Sequence, residues 1–159
     1  MLKHQWLDQD GDGYGDNATG PQPDACPGEP GTSTVDRYGC VDSDGDGISD
    51  ENDAFPDDAT RSSDIDGDGY DDLEDACMLV NGTSSVDRLG CKDSDGDGYS
   101  DGDGTWSSVD GADAFPDEAT QHADQDSDGF GDNAAGFQAD DCPTTPGTSF
   151  RDVFGCEDE

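Results

Sequence analysis

Basic residues are almost absent: six Lys or Arg stand against 42 Asp or Glu in 159 residues, a formal net charge of −36. A polyanion gains nothing from nucleic-acid phosphates, which rules out nucleic-acid partners, and anionic membrane surfaces are excluded on the same ground. Apolar residues are also scarce at 28%, and no run approaches the roughly 18 needed to span a bilayer. No sustained 3.6-residue apolar period exists, so long helices are not expected. The two histidines, His4 and His122, belong to no recurring group, and no Ser or Cys has a plausible partner base, which argues against an enzyme. So little apolar surface cannot offset a backbone ordering cost of about 1–2 kcal/mol per residue. Self-repulsion makes compaction harder still. Left alone, this chain should be disordered.

What is present is a repeat. The phrase D-x-D-x-D-G opens at Asp8, Asp42, Asp64, Asp93 and Asp124, with Asp10, Asp44, Asp66, Asp95 and Asp126 at position 3. Asp12, Asp46, Asp68, Asp97 and Asp128 stand at position 5, followed by Gly13, Gly47, Gly69, Gly98 and Gly129. Position 7 is apolar in every copy: Tyr14, Ile48, Tyr70, Tyr99 and Phe130. Position 9 is Asp16, Asp50, Asp72, Asp101 and Asp132. Position 12 is Asp53 and Asp75 in the two uninterrupted copies; turn-forming inserts delay its equivalents to Asp24, Asp113 and Asp140.

Two endings alternate. Three loops run into C-x4-G-T-S-x2-D-x2-G-C, from Cys26 to Cys40, Cys77 to Cys91 and Cys142 to Cys156. The other two run into Asp-Ala-Phe-Pro at Asp53–Pro56 and Asp113–Pro116. The expected organisation is an N-terminal segment 1–7, then repeats 8–41, 42–63, 64–92, 93–123 and 124–157 in a linear array. Met1–Trp6 lacks the apolar stretch of a leader, so either a leader was removed or the chain is a piece of a longer protein. Residues 158–159 read as the start of a further loop cut short, which favours a piece of a longer array.

The loop chemistry points to Ca²⁺, which takes roughly 6–8 oxygen ligands in flexible geometry. Aspartates at positions 1, 3 and 5 place three carboxylates on one side of a curling backbone, and glycine at position 6 permits the turn. The carbonyl at position 7 can face the ion, and aspartates at positions 9 and 12 close the shell. Five aspartates against one Ca²⁺ leave a loop at −3, and two ions leave −1. At least one ion per repeat, and more than one in some, is therefore expected. Mg²⁺ demands tighter octahedral geometry, and zinc lacks free Cys or His ligands. An EF-hand is disfavoured: it needs flanking helices, an apolar residue at position 8 and usually Glu at position 12.

The pattern D-x-D-x-D-G-φ-x-D-x-x-D-x-C, matched without a gap from Asp64 to Cys77, resembles the thrombospondin type-3 repeat. The Asp-Ala-Phe-Pro endings resemble variants common in prokaryotic surface and secreted proteins. The resemblance spans about Asp8 to Cys156. It implies an irregular chain with little regular secondary structure, wrapped around calcium ions, in an extracellular or cell-surface protein.

Six cysteines at regular spacing suggest disulfides and an oxidising compartment. Local pairing, Cys26–Cys40, Cys77–Cys91 and Cys142–Cys156, is the simplest of the fifteen connectivities, with free thiols as the alternative. Phe55 and Phe115 occupy the cysteine position and should plug apolar gaps. The position-7 residues should make contacts between neighbouring repeats, or else form an aromatic strip for a sugar or partner. Trp106, in the insert 102–112, is either a surface anchor or a local plug. Asp36, Asp87 and Asp152 recur ten residues after each first Cys, either capping a turn or feeding an oxygen to the next loop's ion. Asn17 and Asn81 match the glycosylation acceptor pattern. The function expected is a calcium-rigidified spacer or stalk, non-enzymatic and without membrane insertion. The alternative is a self-assembling or adhesive module that binds copies of itself or other surface proteins into fibres or layers.

Overall fold

The computed structural model describes residues 7–151 and 153–157. His4, Asp152 and Asp158 lie outside that set. Frequent Gly, Pro and Asp leave the backbone no stretch long enough to propagate a helix, and among the described residues none forms. Three isolated parallel bridges, Gly15 with Pro23, Asp101 with Asp113 and Gly131 with Ala139, are the only regular pairings there. The flanking helices of an EF-hand are therefore missing among the described residues. No helix among the described residues is long and apolar enough to cross a membrane. The chain divides into two compact units, Met1–Asp64 and Ile65–Glu159, the boundary falling at the opening of the third repeat.

The interior is inverted. Fully buried apolar side chains among the described residues are Cys40, Cys91 and Ala112, whereas Asp24, Ser33, Ser49, Asp53, Asp71, Ser84, Ser100, Asp113, Gln121, Asp140 and Ser149 are all buried. Large apolar side chains such as Leu73, Leu79 and Val109 stand in solvent instead. Hydrophobic burial cannot be the main stabilising force.

Three disulfides are formed, Cys26–Cys40, Cys77–Cys91 and Cys142–Cys156, as local pairing predicts, and no described cysteine is free. Closing loops of this length contributes about 3 kcal/mol each in the chain-entropy model. Inside each, the Gly-Thr-Ser turn folds onto the second Cys: the Thr32 and Ser33 amides donate to the Cys40 carbonyl at 2.9 and 3.1 Å. The pairs Thr83/Ser84 on Cys91 and Thr148/Ser149 on Cys156 repeat this. A side chain on Gly31 would meet the Cys40 carbonyl at 1.9 Å, so only glycine admits the approach. Buried Ser33 Oγ accepts from the Cys40 amide at 3.0 Å and donates to the Arg37 carbonyl.

The return segment has one design in both endings. The amide after the position-12 aspartate donates to a returning carbonyl: Ala25 to Tyr38, Ala54 to Ser62, Ala76 to Leu89, Ala114 to His122 and Asp141 to Phe154, at 2.8–3.1 Å. Where that residue is aromatic, it packs on the position-7 ring of its own repeat. Tyr14 meets Tyr38 at 5.8 Å between ring centres, Phe130 meets Phe154 at 5.8 Å, and Tyr99 stacks on His122 at 3.9 Å. The expected contacts between neighbouring repeats are thus contacts within repeats for these three rings. The short return of each loop brings its own trailing residue back before the next loop begins. His122, assigned to no group from sequence, is the counterpart of Tyr38 and Phe154.

The Phe-Pro endings replace the disulfide with tight turns. Asp58 donates to the Phe55 carbonyl and Glu118 to the Phe115 carbonyl, at 2.9 and 2.8 Å. Both phenyl rings are half-buried, and the Arg61 guanidinium covers Phe55 at 3.7 Å. Trp106 is a local plug. It is half-buried, its amide and carbonyl are tied to Asp103, and Arg88 lies 5.6 Å from its ring.

Candidate metal centres

Each loop is curled by its own aspartates. Position 1 accepts the amides of positions 4 and 6: Asp42 receives Gly45 at 2.8 Å and Gly47 at 3.1 Å, and Asp93 receives Gly96 at 2.8 Å and Gly98 at 3.0 Å. Asp8 and Asp124 do the same in their loops. Position 5 turns its Oδ1 onto the position-7 amide at 2.7–2.9 Å in every copy, from Asp12, Asp46, Asp68, Asp97 and Asp128. In Tyr14, Tyr99 and Phe130 the side chain turns to its packing partner. Position 9 staples the loop shut: the amides of Asp16, Asp50, Asp101 and Asp132 donate to the carbonyls of Leu7, Val41, Lys92 and Ala123 at 2.7–2.9 Å. Their carboxylates accept the position-2 amide in return, at 2.7–3.3 Å, as Asp72 does from Ile65. Asp101 also pairs with Lys92.

These bonds converge the carboxylates of positions 1, 3 and 5. Four triplets lie whole within one unit: Asp8, Asp10 and Asp12, and Asp42, Asp44 and Asp46, in the first; Asp93, Asp95 and Asp97, and Asp124, Asp126 and Asp128, in the second. In each, one oxygen from every member lies within 4.8 Å of the others. In the third repeat Asp64 ends the first unit, and Asp66 and Asp68 open the second.

Position 12 keeps one anchor whether or not an insert precedes it. The amide of this aspartate donates to the position-8 carbonyl in all five copies: Asp53 to Ser49 at 3.0 Å, Asp75 to Asp71 at 2.9 Å, Asp24 to Gly15 at 2.9 Å, Asp113 to Ser100 at 2.9 Å and Asp140 to Gly131 at 2.8 Å. The three parallel bridges pinch off the inserts, so 5 to 9 residues beyond the uninterrupted spacing leave the anchor unchanged. Each of these aspartates uses Oδ1 to accept the amide two residues on, at 2.6–2.8 Å. The Oδ2 atoms of Asp24, Asp113 and Asp140 are buried with no hydrogen-bond partner, in side chains 4–6% exposed.

A buried carboxylate oxygen without a donor costs several kcal/mol unless something else compensates it. The same orphaned condition holds for Oδ2 of Asp10, Asp44 and Asp95, both oxygens of Asp126, and Oδ1 of Asp132. Proton affinities respond accordingly. Asp113 is pushed up to about 6, chiefly by burial and then by the charges of Asp97, Asp95 and Asp101. Burial also raises Asp24, Asp53, Asp95, Asp126 and Asp140, each with neighbouring loop aspartates adding to it. For Asp24 these neighbours are Asp12, Asp10 and Asp16, which places position 12 beside positions 3, 5 and 9. The donor set is oxygen throughout, which fits a hard cation. The carbonyls of Tyr14, Ile48, Tyr99 and Phe130 carry no hydrogen bond among the described residues and stay free to serve as donors.

The Cys-ending glycine seals the site. Gly39, at φ +77°, lies so near that an added side-chain carbon would sit 2.6 Å from Asp24 Oδ1 and 2.8 Å from Asp12 Oδ2. Gly90 meets Asp75 and Asp68, and Gly155 meets Asp140 and Asp128, in the same way. This residue was not singled out from sequence, although its invariable place before the second Cys was visible.

Asp36 and Asp87 cap a turn. The amide and Oγ of Ser49 donate to Asp36 at 2.9 and 2.8 Å, and those of Ser100 donate to Asp87 at 2.9 and 2.6 Å. Buried Gln121 has a related task in the fifth repeat, donating to the Asn133 and Phe137 carbonyls at 3.1 Å and accepting the Asn133 amide at 2.9 Å. Compared with models of known protein families, the chain matches none, and a comparison with curated proteins finds no significant relative.

Proposed function

We propose that this chain is a calcium-rigidified spacer of the thrombospondin type-3 kind, serving in a secreted or cell-surface protein. The carrying observation is the position-12 anchor. Five aspartates, three of them delayed by inserts, are tied to the same position-8 carbonyl, and the buried Oδ2 of Asp24, Asp113 and Asp140 is left without a donor. A divalent cation in each arc would neutralise those oxygens and the triplet beside them. Ca²⁺ suits the arcs better than Mg²⁺, because crowded carboxylates can fill a large, flexible shell and Mg²⁺ keeps its waters. The residues that would hold it are the aspartates of positions 1, 3, 5, 9 and 12, with the position-7 carbonyl. The three disulfides support an oxidising compartment. Rigidity is what ions in these arcs would supply to an interior with hardly any apolar core.

Circular dichroism and limited proteolysis in millimolar Ca²⁺, in Mg²⁺ and in excess EDTA test this. Ordered, protease-resistant chain in Ca²⁺ alone is the expected result. Equal resistance in EDTA would refute it.

A further inference from the structure

The Cys-type ending touches two loops at once. On its near side the Gly31 amide donates to Asp12 Oδ2 at 3.2 Å, and Gly82 donates to Asp68 Oδ2 at 3.1 Å. On its far side the Thr34 and Val35 amides donate to the Gly47 carbonyl of the next loop at 2.8 and 2.9 Å, and Ser85 and Val86 donate to Gly98 at 2.9 and 3.0 Å. Both contacted carboxylates belong to position 5 of the upstream arc, and both contacted carbonyls to position 6 of the downstream one.

Asp36 and Asp87 complete that grip. Each takes the amide and hydroxyl of a fully buried serine, Ser49 or Ser100, and Asp36 also takes Asn52 Nδ2 at 2.6 Å. These serines are position 8, whose carbonyl holds the position-12 aspartate, Asp53 or Asp113. A continuous chain of bonds therefore runs from the upstream ending through Asp36 and Ser49 to Asp53, and through Asp87 and Ser100 to Asp113. With every Asp36 oxygen engaged by donors, the carboxylate is held well below its ordinary proton affinity. Its hydrogen bonds make it an anchor of the loop. Serine occupies position 8 only in the second and fourth loops; the others carry Gly15, Asp71 and Gly131.

We propose that Asp36 and Asp87 are positioning residues that set the calcium affinity of the loop downstream, so that repeats 1 and 2, and repeats 3 and 4, load as coupled pairs. This rests on the calcium reading above. An ion in the upstream arc fixes position 5, which seats the Cys-type ending, which in turn holds positions 6, 8 and 12 of the next arc in binding geometry. Coupling of this kind is reciprocal. The fifth loop, gripped by Gln121 instead, lies outside the scheme.

Calcium titration of the full disulfide-bonded chain, followed by amide NMR at the five position-6 glycines, reads each loop separately. Asp36→Ala should raise the midpoint at Gly47 about tenfold, as expected for losing hydrogen bonds to a charged group, and leave Gly129 unmoved. Asp87→Ala should do the same at Gly98. Ser49→Ala, a milder variant, should move Gly47 severalfold, and Asp36→Asn should restore part of the loss. Asp10→Asn, in the upstream arc, should also raise the Gly47 midpoint severalfold. Equal movement of all five glycines, or none at Gly47, would overturn the coupling. If no glycine of the unsubstituted chain responds to calcium, the calcium reading itself falls and this inference with it.

Discussion

Alanine at Gly39 and alanine at Gly45 separate site chemistry from backbone preference. Both glycines are left-handed, at φ +77° and +85°. Gly45 faces open space, with nothing within 4 Å of an added carbon, so Gly45→Ala costs only the left-handed penalty of about 1–2 kcal/mol. Expressed as weaker calcium binding in the second loop, that is about 5- to 30-fold. Gly39→Ala carries the same penalty and places a carbon 2.6 and 2.8 Å from Asp24 and Asp12, both of which must swing away. Moving Asp12 also breaks its charge-assisted bond from Gly31, at about 1.5–3 kcal/mol. The sum, about 2.5–5 kcal/mol, predicts a loss of roughly two to four decades in the first loop. Calcium titrations of both variants, read at Gly13 and Gly47, measure this. Equal losses for the two would refute the claim that Gly39 closes on metal-binding carboxylates.

Other outcomes follow from the same geometry. Ser127 holds φ 65° where the other loops have glycine, so Ser127→Gly should tighten the fifth loop about fivefold, near 1 kcal/mol, in a titration read at Gly129; weaker binding would contradict it. Reducing all three disulfides should lower the thermal midpoint at fixed calcium, each bridge contributing about 3 kcal/mol, and an unchanged midpoint would show that the ions alone hold the endings. Acid should order the metal-free chain. Asp113 at about 6 in the ordered state exceeds its ordinary 3.8, so its charge opposes order at neutral pH, and protonation as pH falls through about 6 relieves that. Hydrodynamic radius in EDTA should therefore shrink between pH 7 and 5; expansion would refute the sign.

The aspartate spacing carried most of the site. Positions 1, 3 and 5 are local, their convergence following from turn bonds only two to five residues long, and such geometry is readable from spacing. Asp24, Asp113 and Asp140 were readable too, because an insert that returns to its own base leaves the register intact. Contacts made across longer separations were not. The Asp36–Ser49 and Asp87–Ser100 bonds each span 13 residues, and nothing in the sequence chose between a turn cap and an ion ligand. The position-7 residues were expected to contact neighbouring repeats, whereas the short return places Tyr38, His122 and Phe154 against Tyr14, Tyr99 and Phe130 of their own loops. Gln121 gave no pattern to find, since it occurs once and acts through main-chain groups of the next insert.

Native mass spectrometry of the intact chain with calcium and after chelation tests the central claim most directly, because mass counts ions while charge state reports compactness. The account predicts a compact species carrying at least five calcium ions, one or more per repeat, and an expanded, highly charged species once they are removed. A compact species that carries no metal would contradict it.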